Sequence, residues 1–179
     1  TFDINHKGSV RLAESARKAG VKRFVYTSSC SVYGAGTGDF LDETSPPNPQ
    51  TAYAECKTLV ERDVGAMAGD DFCPVFLRNA TAYGPSPRMR FDIVINDLSA
   101  LAWTAHRIAM VSDGSPWRPV VHVEDICEAI YRSLVAPDDA VRGQVFNVGQ
   151  NSENYRVREI AAIIAGEFPG CEVTTGPSS

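Results

Sequence analysis

Arg23-Phe24-Val25-Tyr26-Thr27-Ser28-Ser29-Cys30-Ser31-Val32-Tyr33-Gly34 is followed, after a loop, by Thr51-Ala52-Tyr53-Ala54-Glu55-Cys56-Lys57. From Val21 to Ser28 the chain is a β-rich run bounded by polar residues, suited to a buried parallel strand. Residues 29–50 read as a loop, marked by Gly34, Gly36, Gly38 and Ser45-Pro46-Pro47-Asn48-Pro49. Thr51, or a residue just before it, caps a helix that runs to about Ala68. Tyr53 and Lys57 stand four residues apart and therefore share a helix face, where the ammonium can lie beneath the phenol. A positive charge there favours the phenolate and lowers a tyrosine pKa from its reference of about 10. That makes Tyr53 a candidate general base, and Ser29 a hydroxyl able to bond the substrate oxygen whose proton moves. Together they suit oxidation and reduction at a carbon bearing a hydroxyl.

The pair alone is weak. With six tyrosines and four lysines in 179 residues, a Tyr-x-x-x-Lys arises by chance about once in seven or eight such chains. The plainer alternative is an amphipathic helix with Tyr53 half buried and Lys57 solvated. Context favours the catalytic reading: a strand ends in a serine cluster, and the tyrosine opens a long helical pattern 24 residues after Ser29.

Outward from this stretch, helical and strand-like segments alternate. Residues 4–19 carry Ile4, Val10, Leu12, Ala13, Ala16 and Ala19 at helical spacing, closed by Gly20. Phe72–Arg78 is the next strand, and a loop runs through Tyr83-Gly84-Pro85-Ser86-Pro87. A helix follows to about Ala105, then short strands at 107–111 and 119–122. Further on come a helix over 124–135, a strand over 144–148, a helix over 155–168 and a strand-like Glu172-Val173-Thr174. This order predicts an α/β fold with a largely parallel sheet, and the boundary between two lobes is expected near residues 84–90. Trp103 is expected in the core and Trp117 at a pocket rim.

Hydrophobic residues make up 44% of the chain and charged residues 22%, the profile of an ordinary globular protein. The net charge is −5, and the basic spots Arg17-Lys18, Lys22-Arg23 and Arg88/Arg90 are short and dispersed, so no nucleic-acid partner is expected. No apolar run approaches a membrane span, and neither a signal peptide nor a membrane partner is expected. Five cysteines without a C-x-x-C pair read as reduced, mostly buried thiols of a cytoplasmic protein, and three widely spaced histidines offer no metal-ligand spacing. The chain begins without Met, in a helical pattern, and ends just after a strand-like run; a piece of a longer protein is expected.

Several motifs stand in a telling order: Asn5-x-x-Gly8-Ser9, Val25-Tyr26-Thr27-Ser28-Ser29-x-x-Val32-Tyr33-Gly34, Tyr53-x-x-x-Lys57 and Arg78-x-x-x-x-Tyr83-Gly84-Pro85. They continue with Asp113-Gly114-x-x-x-Arg118-x-x-Val121-His122-Val123-x-Asp125 and Phe146-Asn147-Val148-Gly149. In this order the chain resembles the extended short-chain dehydrogenases/reductases, specifically the NAD-dependent epimerase/dehydratase family. The resemblance implies a partial Rossmann-like parallel sheet with helices on both faces (1–86) and a smaller C-terminal substrate lobe (87–179) with elements returning to the sheet. It implies NAD as cofactor, with NADP also open, a nucleotide-sugar substrate, and a homodimer.

The same resemblance assigns Tyr53 as base, Lys57 as the residue that lowers its pKa and holds the nicotinamide ribose, and Ser29 as the substrate-orienting hydroxyl. Thr27, Ser28, Asn79 and Ala80 join Tyr53 and Lys57 as cofactor-binding residues; Ser29, Ser31, Thr81, Asn96 and Arg118 face the substrate. An Arg at 118 suits a diphosphate because its fork can bond phosphate oxygens in pairs, although a surface ion pair is the alternative. His122 and Asp125 read as structural, at a strand end and a helix start, and Asn5 as a helix-shaping polar residue. The family's 4,6-dehydratases carry Thr-Asp-Glu where Ser29-Cys30-Ser31 stands here, which disfavours dehydration. Many epimerases carry Asn at the position of Thr81, which leaves the sugar open. The glycine turn that binds pyrophosphate is missing from these residues. The resemblance thus implies an epimerase, with a one-way keto-sugar reductase or dehydrogenase as the alternative. A non-catalytic dinucleotide sensor is a third reading.

Overall fold

The computed structural model describes residues 1–34 and 40–177; Gly36 and Gly38 lie outside them. The chain forms two compact units, one of Thr1–Ala80 with Glu124–Val148, the other of Thr81–Val123 with the chain from Gly149 onward.

The first unit starts with a π-helical stretch, Asp3–Gly8, that runs straight into α1, Ser9–Lys18. Gly20, at φ 79°, ends it where a side chain would be strained. Strand β1 is Arg23–Ser29, and Cys30–Tyr33 forms one turn of 3-10 helix. Helix α2, Ala52–Gly65, is capped by Thr51, whose Oγ1 accepts the Ala54 N–H at 3.2 Å. Strand β2 is Cys73–Asn79, buried along nearly its whole length. That is the mark of a central parallel strand.

Later in the chain this unit receives α4 (Val123–Val135), a short α5 (Asp138–Val141) and β6 (Val145–Val148). The sheet order is β1-β2-β6, parallel throughout. Side chains alternate between its faces. Phe24, Tyr26, Phe76 and Val145 pack with Ala13 of α1 and Val60 and Val64 of α2. Val25, Val75, Leu77 and Phe146 pack on the other side with Ala129 and Ile130 of α4 and Val141. Helices therefore cover both faces, and each fully buried Val, Leu or Phe contributes about 1.5–3 kcal/mol.

The second unit holds β3 (Thr81–Tyr83), α3 (Val94–Ala105), β4 (Arg107–Ala109), β5 (Trp117–His122), β7 (Asn154–Arg156), α6 (Val157–Glu167) and β8 (Glu172–Thr174). Strand β5 pairs parallel with β3 and antiparallel with β7, while β4 and β8 form a separate parallel pair. The core is Leu98 and Ala102 of α3, Ile108, Met110, Val120, and Ile160, Ala161 and Ile164 of α6.

Some expectations change. Residues 154–156 pair with 117–119 instead of opening the last helix. Trp103 is 72% exposed, edge-on to Phe168 at 6.2 Å, because α3 turns Leu98 and Ala102 inward and the next position falls outside. Only Cys56 and Cys73 are buried; Cys30 and Cys171 are half buried and Cys127 is exposed, all as free thiols. Among the described residues no helix is long and apolar enough to cross a membrane, and no cluster could hold a metal ion.

Candidate active site

The three parallel strands of the first unit end in register, with Ser29 beside Asn79 and Asn79 beside Val148. The C-terminal edge of such a sheet is where α/β folds place their ligands. Ser29 ends β1 and caps the 3-10 turn, its Oγ accepting the Ser31 N–H at 3.2 Å. Gly34 closes that segment at φ 69°, ψ −146°.

Helix α2 lays Tyr53 and Lys57 along the same edge. The Lys57 ammonium donates to the Thr27 carbonyl at 2.6 Å. It lies 4.5 Å from the ring centroid of Tyr26 and 5.4 Å from that of Tyr53. Burial works against its charge and lowers its pKa, while the nearby Glu61 carboxylate opposes that shift. The two tyrosines that flank it differ. Burial pushes the Tyr26 phenol up to about 12, against a hydrogen bond from Ser9 that acts the other way, so Tyr26 stays protonated at neutral pH. Tyr53 is 45% exposed. Of the two, Tyr53 is the more exposed.

The other expected cofactor contacts are partly engaged by the protein itself. The Ser28 hydroxyl is buried and donates to Glu61 Oε1 at 2.5 Å, and the Ala80 N–H donates to the Val148 carbonyl at 2.9 Å. Asn79 Oδ1 and Ser31 Oγ are buried with no hydrogen-bond partner among the described residues. Buried polar atoms without partners are rare; Asn79 ends β2, and Ser31 lies in the 3-10 turn that follows β1.

Three expected substrate residues belong to the second unit. Thr81 opens β3 opposite Val120, Asn96 donates to the Arg90 carbonyl at 2.9 Å, and Arg118 is exposed on β5 with Nη1 bonded to the Trp117 carbonyl at 2.9 Å. Trp117 is 52% exposed and lies 5.1 Å under the Arg156 guanidinium.

Reasoning from sequence missed one group. Glu61, one turn beyond Lys57 on α2, forms a buried ion pair with Arg78 at 2.7 Å. Its only sequence signal is an acidic residue continuing the 53–57 spacing.

Residues 1–149 match the family described as NAD dependent epimerase/dehydratase. The chain is 34% identical over 175 residues to a UDP-glucose 4-epimerase of Mycolicibacterium smegmatis, covering 91% of this chain and 52% of that one. It is 28% identical over 151 residues to a mouse (Mus musculus) dTDP-D-glucose 4,6-dehydratase, covering 84% and 41% respectively. The structure of MoeE5 in complex with UDP-glucose and NAD superposes with a TM-score of 0.84 at 29% identity, covering 98% of this chain and 58% of that one. The chain thus spans about half the length of the curated relatives it matches. A parallel sheet with helices on both faces, the Tyr53–Lys57 pair at its C-terminal edge and this breadth of match place the chain in the NAD-dependent epimerase/dehydratase family.

Proposed function

We propose that the whole protein is a nucleotide-sugar epimerase with NAD as its resident cofactor. The observation that carries this is Lys57 held between Tyr26 and Tyr53 by the Thr27 carbonyl, with Tyr26 kept neutral and Tyr53 open. The unpartnered Asn79 Oδ1 and Ser31 Oγ suit a bound dinucleotide and sugar with donors of their own. Tyr53 and Lys57 would hold the nicotinamide ribose, with Thr27, Ser28, Asn79 and Ala80 around the ring. Ser29 and Ser31 would meet the sugar, with Thr81, Asn96 and Arg118 of the second unit also assigned to the substrate. When bound, NAD would supply reversible hydride acceptance at the hydroxyl-bearing carbon, with no net redox change.

The phenolate of Tyr53 takes the hydroxyl proton and later gives it back. Lys57 keeps that phenolate accessible near neutral pH, and Ser29 orients the reacting oxygen. Elimination of water is disfavoured because Ser29-Cys30-Ser31 carries no carboxyl group. Tyr53→Phe in the whole protein, assayed with UDP-glucose as probe, should lower interconversion by at least about 100-fold in a protein that still melts near the wild-type temperature. An active Y53F variant would overturn the assignment, and stoichiometric consumption of NAD(P)H by the wild type would replace epimerase by reductase.

A further inference from the structure

Glu61 and Arg78 are both almost fully buried, and the proton transfer above uses neither. Arg78 Nη2 donates to Glu61 Oε2 at 2.7 Å, and its Nε lies 3.1 Å and 3.2 Å from the two carboxylate oxygens. The same carboxylate accepts the Ser28 hydroxyl. Arg78 Nη1 donates to Tyr33 Oη at 2.9 Å, with the guanidinium 4.9 Å from that ring. The Tyr33 hydroxyl in turn donates to Asn147 Oδ1 at 2.7 Å, and the Asn147 N–H is bonded to Glu43 at 2.6 Å. Burial opposes the Arg78 charge, but the bonds to Glu61 and Tyr33 outweigh it and raise its pKa.

These contacts have a shape. Ser28 immediately precedes Ser29, and Tyr33 ends the 3-10 turn that Ser29 caps. Both ends of that short segment are therefore tied to one ion pair, whose carboxylate rides on α2 one turn beyond Lys57 and whose guanidinium rides on β2. An ion pair this deep gains little net stability over apolar residues of similar volume, whereas a branched, fully bonded one fixes geometry. We propose that Glu61 and Arg78 are positioning residues that hold the Ser29–Tyr33 segment in place against the helix bearing Tyr53 and Lys57. Their catalytic consequence rests on the reading of Ser29, Tyr53 and Lys57 given above.

The test uses the whole protein. A single loss at either position leaves a buried charge unpaired and threatens the fold, so the primary variant is E61M/R78M, in which neither charge remains. Measured are thermal stability, dinucleotide content, kcat and KM with UDP-glucose, and amide hydrogen exchange. The expected result is near-native melting, dinucleotide content and KM, with kcat lower by about tenfold or more. Exchange should quicken at residues 29–33 while α2 and β2 stay protected. Unchanged kcat and unchanged exchange in a folded double variant would overturn the proposal. Should that variant fail to fold, Tyr33→Phe removes only the oxygen joining Arg78 to Asn147. Its exchange at 29–33 should still quicken, and native protection there would overturn the proposal. Where the wild type does not turn over UDP-glucose, the exchange result alone decides: quickened exchange at 29–33 supports the positioning role whatever the sugar, and native protection overturns it.

Discussion

Lys57→Met takes away the one ammonium that faces Tyr53 along α2. The nitrogen lies 5.4 Å from the Tyr53 ring centroid. At an effective dielectric constant of about 20, a unit charge at that distance is worth roughly 3 kcal/mol. Tyr53 is 45% exposed, and solvent screening brings the expected loss to between about 1.4 and 2.8 kcal/mol. The direction is unambiguous: without the cation the phenolate is less favoured, so the activity limb governed by Tyr53 moves to higher pH. At neutral pH the rate of K57M should fall by about 10- to 100-fold and recover as the medium is made alkaline. The assay is the kcat–pH profile of the whole protein with UDP-glucose, for wild type and K57M. A deficit that is the same at every pH would refute the electrostatic argument and reduce Lys57 to its hydrogen bond with Thr27.

Two further perturbations probe the frame around the site. Arg23 bonds to Asp138 and holds its carboxyl below the ordinary carboxylate range, so that stabilisation is complete above about pH 3.9 and fades as pH falls through the folded-state value. Asp138→Asn should lower the melting temperature at neutral pH and converge with wild type in acid; parallel melting curves across pH would count against the linkage. Gly34 sits at φ 69°, ψ −146°, where a Cβ would fall 2.1 Å from the Asn48 carbonyl oxygen. Gly34→Ala should therefore cost at least about 1–3 kcal/mol and lower the denaturant midpoint at constant slope, and an unmoved midpoint would show that the turn relaxes freely.

The parallel sheet was legible because its strands announce themselves. Phe24-Val25-Tyr26 and Val75-Phe76-Leu77 are apolar on both faces, as strands covered by helices must be. The Thr51 cap and the Gly20 stop were read from residue types whose local chemistry decides helix ends. The short elements were less legible. Thr81–Tyr83 and Asn154–Arg156 become strands only because β5 offers them partners, one on each edge. Trp103 shows a different limit: its size argues for burial, but one position of helical rotation puts it outside the stripe of Leu98 and Ala102. Within the site, Tyr53 and Lys57 could be paired from spacing alone, since both lie on one helix. Glu61, Arg78 and Tyr33 are drawn together by tertiary packing across 17 and 45 residues, and no local pattern encodes that.

A direct measurement on the central claim is made on the whole protein, purified without added cofactor, then denatured and assayed for released dinucleotide. A recycling epimerase keeps its NAD through each turnover, and the account predicts about one NAD released per chain. A protein that releases none, yet takes up NADPH from solution, would contradict it and point to one-way reduction instead.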